Sequence, residues 1–328
     1  MRTRRLLPVL LAVSLALALA PASALAEGAT ETQAAGPVAP GRMSLRLVKV
    51  GGTPPFVIAG ERMYIRGKVT PYVAGQSVKV SFYRDHRRVQ VQVAPVFPAG
   101  GAGEFRVSYV SGSAGVVEAR AAHYATPQQA QFTGRTPAVT FVNTNLGPGS
   151  SGQSVRVLQS ELASMHYVVP LSGYFDEATG RAVIAYRKVT GLERVAYSGS
   201  QVFRELARGA GTFSVRYRGD GRHIEANLSL QVLVEINPGG KVRAIYTMSS
   251  GKPSTPTVLG RFRVYRKEPG TNGEGMVESS YFISGYAIHG YFEVPVWAAS
   301  HGCLRVPIPN AASIYAWVQY GTPVDVYN

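Results

Sequence analysis

The chain has 328 residues, more than one compact domain usually holds, and 34 Lys and Arg against 19 Asp and Glu give it a formal charge of +15. In an intracellular protein that balance would suggest nucleic acid, but the cations are scattered, with only Arg84 to Arg88 clustered, and the first segment points to export. Nucleic acid is therefore excluded as the expected partner in favour of anionic wall polymers or carboxylate-bearing peptides, the alternative being charge that serves only solubility and loose adhesion.

Arg2, Arg4 and Arg5 precede an apolar run from Leu6 to Ala20, and small residues follow as Ala22-Ser23-Ala24 and Ala24-Leu25-Ala26. This is the pattern of a signal peptide at 1–26, with cleavage expected after Ala26 and an uncleaved anchor as the alternative. The run is shorter than the roughly 20 residues of a membrane-spanning helix, and no later stretch is long and apolar enough to span. The expectation is an exported protein without a transmembrane segment in its mature chain, located in the periplasm, cell wall or outside the cell. Loss of the three signal arginines leaves about +12. Residues 27–42, rich in Ala, Gly, Thr and Pro, read as a flexible linker.

From 43 to 143 the apolar residues alternate in short runs, as in Met63 to Val69, Val78 to Phe82, Val89 to Val93, Phe105 to Tyr109 and Val116 to Ala121. Period two over such lengths predicts half-buried strands, and Pro71, Gly75, Gly100-Gly101 and Gly112 punctuate them at the spacing of an antiparallel sandwich. Between 144 and 210 the period changes. Val155, Leu158 and Leu162 recur at helical spacing, Asp176 is placed to cap a second helix carrying Ala182, Val183, Tyr186 and Val189, and a third short helix is predicted from about Ser200 to Leu206. From 222 to 328 strands return at Ile224 to Leu228, Gln231 to Ile236, Val242 to Met248, Phe262 to Tyr265 and Pro323 to Tyr327. A hairpin turn is expected at Asn237 to Gly240, and one helix, capped by Asn310 and ended by Gly321, precedes the last strand.

The chemistry gathers in this last segment. The only cysteine, Cys303, lies in Ser300-His301-Gly302-Cys303-Leu304-Arg305, shortly after Ile288-His289-Gly290. A solitary thiol in an oxidising compartment is buried and inert, paired with another molecule, or a reactive group held apart from partners. A nucleophilic thiol needs a base or a cation that favours thiolate, and His289 and His301 are both available. Gly290 and Gly302 are expected to remove bulk where a substrate carbonyl approaches the sulfur, and Gly302 to let N–H groups turn toward an oxyanion. Arg305 is suited to hold a substrate carboxylate. The plainer reading makes Cys303 core filler and His289 a hydrogen-bonded core residue. One thiol with two histidines is a poor zinc set, so neither metal nor cofactor is expected.

Three resemblances follow from these residues. The 43–143 pattern is similar to bacterial immunoglobulin-like (Ig-like) domains, which implies a spacer or adhesive platform. The V-x-x-L-Q-x-x-L run at Val155, the G-x-F-D run at Gly173 and the Gly191-Leu192 ending resemble the three-helix peptidoglycan-binding domain family, although His166 stands where a glycine is usual and Tyr186-Arg187 replaces Phe-Gln. Residues 222–328 resemble the L,D-transpeptidase (YkuD-type) catalytic domain through Ser250-Gly251, Thr257, Gly260, Phe262, His289-Gly290 and the S-H-G-C-x-R signature at 300–305. The implied protein is multidomain and mainly β: an Ig-like sandwich, a small helical wall-binding unit, and a β-rich catalytic domain with one C-terminal helix.

What the last resemblance implies is a cysteine acyltransferase acting on peptidoglycan stem peptides and acylated by carbapenem-type β-lactams. Cys303 would attack the third residue of a tetrapeptide, expel D-Ala and pass the acyl group to an amine, giving a 3→3 cross-link. His289 would be the base, oriented by the Gly290 carbonyl. His301, Gly302 and Cys303 would shape the oxyanion site, Ser300 would support the loop, and Arg305 would meet the substrate. Two alternatives stay open, an L,D-carboxypeptidase that uses water as acceptor and a non-catalytic wall-binding protein. Only ten residues separate His289 from Ser300, fewer than in many members of that family, so a more open cleft is expected.

Overall fold

A computed structural model describes residues 38–328; the expected signal peptide and most of the 27–42 linker lie outside the described residues. The linker's far end is folded, since Ala39 bridges Gln129 and Arg42 opens the first strand. Ten strands come first: β1 (Arg42–Val48), β2 (Phe56–Ile58), β3 (Arg62–Thr70), β4 (Ser77–Arg84), β5 (Arg87–Pro95), β6 (Phe97–Ala99), β7 (Ala102–Val110), β8 (Gly115–His123), β9 (Phe132–Arg135) and β10 (Val139–Val142). They form one sheet in the order β1-β3-β7-β6 and another in the order β2-β10-β8-β4-β5, with β9 added to β8. Period two explains the pairing of the sheets. Met63, Ile65 and Val69 from β3 meet Val78, Val80 and Phe82 from β4 in one core, while the residues between them face outward.

Three helices follow, α1 (Gln153–Ser164), α2 (Glu177–Val189) and α3 (Ser200–Ala207). The Asp176 carboxylate accepts from the Thr179 N–H at 2.7 Å and so caps α2 as its position predicts. The end of α1 explains the unusual histidine. The Tyr167 N–H reaches the Leu162 carbonyl and the His166 N–H the Ala163 carbonyl, a closure that requires a left-handed residue between them, and His166 supplies it at φ 71°. Glycine enters that region with no steric cost, which is the physical reason a glycine suits the site. The helices do not pack alone. Their core of Val155, Leu158, Leu162, Tyr186 and Phe203 also contains Phe56 and Val142 from the strands before it and Val232, Val234 and Ile245 from those after it.

The last segment comprises β11 (His223–Asn227), β12 (Val232–Asn237), β13 (Lys241–Thr247), β14 (Gly260–Arg263), β15 (Arg266–Thr271), β16 (Val277–Ile283), β17 (Tyr286–Tyr291), β18 (Leu304–Pro307), α4 (Ile308–Trp317) and β19 (Pro323–Tyr327). Two sheets, β13-β12-β11-β19-β14 and β15-β16-β17-β18, enclose a core of Ile224, Leu233, Phe282, Ile288, Leu304 and Val326, closed by Ile314 and Trp317 of α4. Burial of each such side chain is worth about 1.5–3 kcal/mol.

Two expectations about α4 are corrected. Asn310 does not cap it, because the helix already starts at Ile308 with Pro307 at its N-cap and Pro309 in its first turn, where a missing N–H costs nothing. Gly321 does not end it, since Val318 is already extended. Strand β16 carries no period-two signal because Ser279, Ser280, Tyr281 and Phe282 are all buried and register shifts interrupt its pairing with β17. No helix among the described residues is long and apolar enough to cross a membrane.

Candidate active site

Strands β17 and β18 run parallel and place His289 opposite Arg305 and Ile288 opposite Leu304. Ile288 and Leu304 enter the core, so alternation turns His289 and Arg305 to the other face of the same sheet. Cys303 is the residue immediately before β18. It is partly exposed and packs on a small apolar cluster of Met276, Tyr281 and Ala287. Its sulfur accepts from the Ala287 N–H at 3.4 Å and lies 3.7 Å from the Gly285 carbonyl oxygen. The His289 ring is buried, with Nδ1 2.9 Å from the Gly290 carbonyl oxygen and its face edge-on to Tyr291 at 5.6 Å.

The turn before Cys303 is held from several sides. The Ser300 hydroxyl donates to the Cys303 carbonyl at 2.6 Å and accepts from the Gly302 N–H at 3.0 Å, which ties the turn to itself. The Ser300 carbonyl accepts from the Lys252 N–H at 3.0 Å and the Thr255 hydroxyl at 3.1 Å. The Thr257 hydroxyl donates to the Gly302 carbonyl at 2.8 Å and accepts from the Gly251 N–H at 2.9 Å. One step further back, Ser250 receives the Ala299 and Ser300 N–H groups on its carbonyl while Gln231 clamps its hydroxyl at 2.6 Å and its N–H at 2.9 Å. Gln231, Lys252 and Thr255 escape sequence reading because each acts through single polar contacts, and no periodicity or residue type marks them.

Of the residues singled out in the sequence, Cys303, His289, Gly290, Ser300, Gly302 and Arg305 come together here. His301 turns outward, its ring exposed and Nε2 3.3 Å from the Lys252 ammonium. Arg305 is largely enclosed, its guanidinium 4.0 Å from the centre of the Tyr291 ring and 3.8 Å from the Glu293 carboxylate.

Three chemical expectations change. The resting sulfur is not a thiolate: burial pushes the Cys303 thiol up, and the Ala287 N–H and the more distant Arg305 only partly oppose this. Burial likewise lowers His289 to about 4, against its hydrogen bond to the Gly290 carbonyl and with some help from Arg305, so the ring is neutral. The pair is therefore thiol and imidazole, with no hydrogen bond between them among the described residues. Next, the space in front of Gly290 is filled by α4. A side chain there would meet Ala311 Cβ at 2.7 Å, so the glycine admits the helix and not a substrate. Finally, Gly302 has φ +119°, and an added Cβ would fall 1.8 Å from the Tyr286 ring. Its N–H is already committed to Ser300.

Comparison with known proteins bears on the same region. The L,D-transpeptidase catalytic domain (YkuD) profile matches residues 221–326. A crystal structure of an L,D-transpeptidase from Xylanimonas cellulosilytica is 31% identical, covers 57% of this chain and 98% of its own, and superposes with a TM-score of 0.52. An L,D-transpeptidase from Stackebrandtia nassauensis is 19% identical over 56% of this chain and 96% of its own, TM-score 0.37. An Enterococcus faecium L,D-transpeptidase carrying a C442S substitution is 30% identical over 32% of this chain and 49% of its own, TM-score 0.29. No curated protein matches. With nearly all of the Xylanimonas chain matched at that identity, and the catalytic-domain profile spanning Cys303 and the strand that carries His289, this chain belongs to the L,D-transpeptidase family.

Proposed function

We propose that the protein is an exported peptidoglycan transpeptidase that forms 3→3 cross-links through a thioester on Cys303. The observation that carries the reading is a lone, partly exposed thiol at the entry to β18, held by a turn whose backbone is fastened at Ser300 and Gly302, beside a neutral imidazole on the adjacent strand. The thiol proton passes to His289 Nε2 as the sulfur adds to the carbonyl of the third stem residue. The tetrahedral oxyanion collapses, the C–N bond to D-Ala breaks, and the imidazolium returns its proton to the departing amine. A side-chain amine of a second stem then attacks the thioester, forming the new amide and restoring the thiol.

In the resting structure the sulfur rests on the Ala287 N–H, so substrate entry must draw it from that contact toward His289; catalytic hydrogen bonds commonly tighten only in the complex. The Gly302 N–H is spent on Ser300, while the His301 and Cys303 N–H groups have no protein acceptor among the described residues. They are the donors this reading assigns to the oxyanion. Arg305, enclosed beside Tyr291, orients the His289 strand and meets only the edge of a substrate.

The upstream parts fit the same reading as wall-directed modules. The strands at 43–143 are read as an Ig-like spacer. The helices at 144–210 are read as a peptidoglycan-binding unit, supported by a concavity of about 560 Å³ lined by Tyr174, Phe175, Arg181 and Ile184.

Mass spectrometry after exposure to a carbapenem should show one adduct on the intact protein and none on Cys303→Ala. An adduct that survives the substitution removes Cys303 as nucleophile. Incubation with tetrapeptide muropeptides should yield cross-linked dimers with release of D-Ala. Free tripeptides without dimers would instead assign the L,D-carboxypeptidase reaction.

A further inference from the structure

The outer face of the sheet formed by β9, β8, β4 and β5 is unlike a merely soluble surface. Because Val78, Val80 and Phe82 point inward, Lys79, Ser81 and Tyr83 point out, and the register aligns them across the sheet. Ser81 pairs with Arg120, which pairs with Arg135; Lys79 pairs with Ala122, which pairs with Thr133; Tyr83 pairs with Arg88. Like charges directly opposite one another, as at Arg120 and Arg135, weaken a sheet unless something neutralises them. Glu118 pairs with Arg120 at 2.8 Å and leaves the other cations of this face unanswered among the described residues.

These residues line a concavity of about 750 Å³, and no acidic residue among the described residues lines it. Its floor is low where Ala122, between Lys79 and Thr133 across the strands, carries only a methyl group. Two aromatic rings stand beside the cations: Tyr83 lies under the Arg120 guanidinium at 4.4 Å, and Tyr124, 56% exposed, lies under the Lys79 ammonium at 5.7 Å. The exposed Tyr124 and the partly exposed Tyr83 present apolar surface for a sugar ring, and the cations beside them, of which only Arg120 has a carboxylate partner, present point charges for the anionic groups between sugars.

We infer that this face of the first domain is a docking site for an anionic glycan polymer of the cell wall, bound through its phosphodiester or uronate groups by Lys79, Arg88, Arg120 and Arg135 with its sugars against Tyr83 and Tyr124. The wall location rests on the function proposed above; the site itself does not use Cys303. Bound polymer would hold the catalytic domain at the wall without occupying the cleft, and would raise the local concentration of stem peptides.

The experiment uses the full-length chain carrying Cys303→Ala, so that binding is measured apart from catalysis. Biolayer interferometry is run against immobilised poly(glycerol phosphate) with attached sugars, polygalacturonate, dextran and oligothymidylate. Binding to either or both anionic glycans, steeply weakened by salt, with none to dextran, is expected, and the two glycan arms tell phosphodiester from uronate. Lys79→Ala/Arg120→Ala/Arg135→Ala should bind at least about tenfold more weakly, a loss of about 1.4 kcal/mol. Tyr83→Ala/Tyr124→Ala should also lose affinity at unchanged net charge.

The opposite sheet offers a charge-matched control, because Arg46, Arg66 and Arg106 form a row across β1, β3 and β7. Their triple alanine variant should retain binding. Equal loss in both triple variants would reduce the effect to net charge and overturn the assignment. Tighter binding of oligothymidylate than of either glycan, or no glycan binding at all in a protein with unchanged melting temperature, would overturn it as well. Carbapenem acylation of the triple variant with Cys303 intact should equal that of the parent, so the two readings fail separately.

Discussion

At the residue scale the site is set by burial more than by charge. Because His289 is lowered to about 4, its neutral form persists through the acid range where an ordinary imidazole is protonated. A reaction that needs neutral His289 as base therefore loses rate as pH falls through about 4 and not near 6.5. Carbapenem acylation followed by mass spectrometry from pH 3.5 to 8 should be nearly flat above about pH 5; half-loss between 6 and 7 would show an unburied ring. The thiol is raised, so in the alkaline range alkylation of Cys303 by iodoacetamide should keep climbing past the pH at which an ordinary thiol has ionised. Gly302 gives a second prediction. Its φ of +119° and the Tyr286 ring 1.8 Å from an added Cβ leave no room for a side chain. Gly302→Ala should cost about 3 kcal/mol and slow acylation at least about tenfold, measured by denaturation and adduct formation. Adding Tyr286→Ala should recover part of the loss, because it removes the clash but not the backbone strain.

At the element scale, the end of α2 reaches the catalytic scaffold through one side chain. Lys188 is 1% exposed, and its ammonium donates to the Gln231 carbonyl at 2.9 Å, the Thr247 hydroxyl at 2.7 Å and the Met248 carbonyl at 2.9 Å. Burial, aided by Arg194, lowers its pKa to about 7, while three oxygen acceptors match the three donors of the protonated amine. Gln231 in turn clamps Ser250, which holds Ser300, so a helix outside the catalytic domain braces the turn that presents Cys303. Arg194 adds a second brace, donating to the Val296 carbonyl in the segment before the turn at 2.8 Å. Lys188→Met should leave three acceptors buried and cost about 3 kcal/mol in chemical denaturation. Lys188→Arg should not restore it, since a planar fork cannot address three converging oxygens. A fully stable Lys188→Met protein would show that α2 and β13 are joined by apolar contact alone.

At the scale of the whole molecule, the described residues are joined by shared cores, with the helices wedged between two β structures and contributing to both. The sequence by itself determined the strand and helix periods, the Asp176 cap and the proximity of a thiol, two imidazoles and two glycines, because each is written in local spacing or residue type. Alternation in Val78 to Phe82 survives folding since one face of that strand is buried and the other wet. It vanishes in β16, where Ser279 to Phe282 are buried in succession, and so does its sequence signal. Only the tertiary structure decided which histidine lies beside Cys303's strand, that Gly290 makes room for α4, that Arg305 is enclosed, and that Gln231 and Lys188 support the turn. Those facts depend on contacts between residues distant in sequence and on how completely water is excluded, and neither is encoded in the spacing of neighbours along the chain.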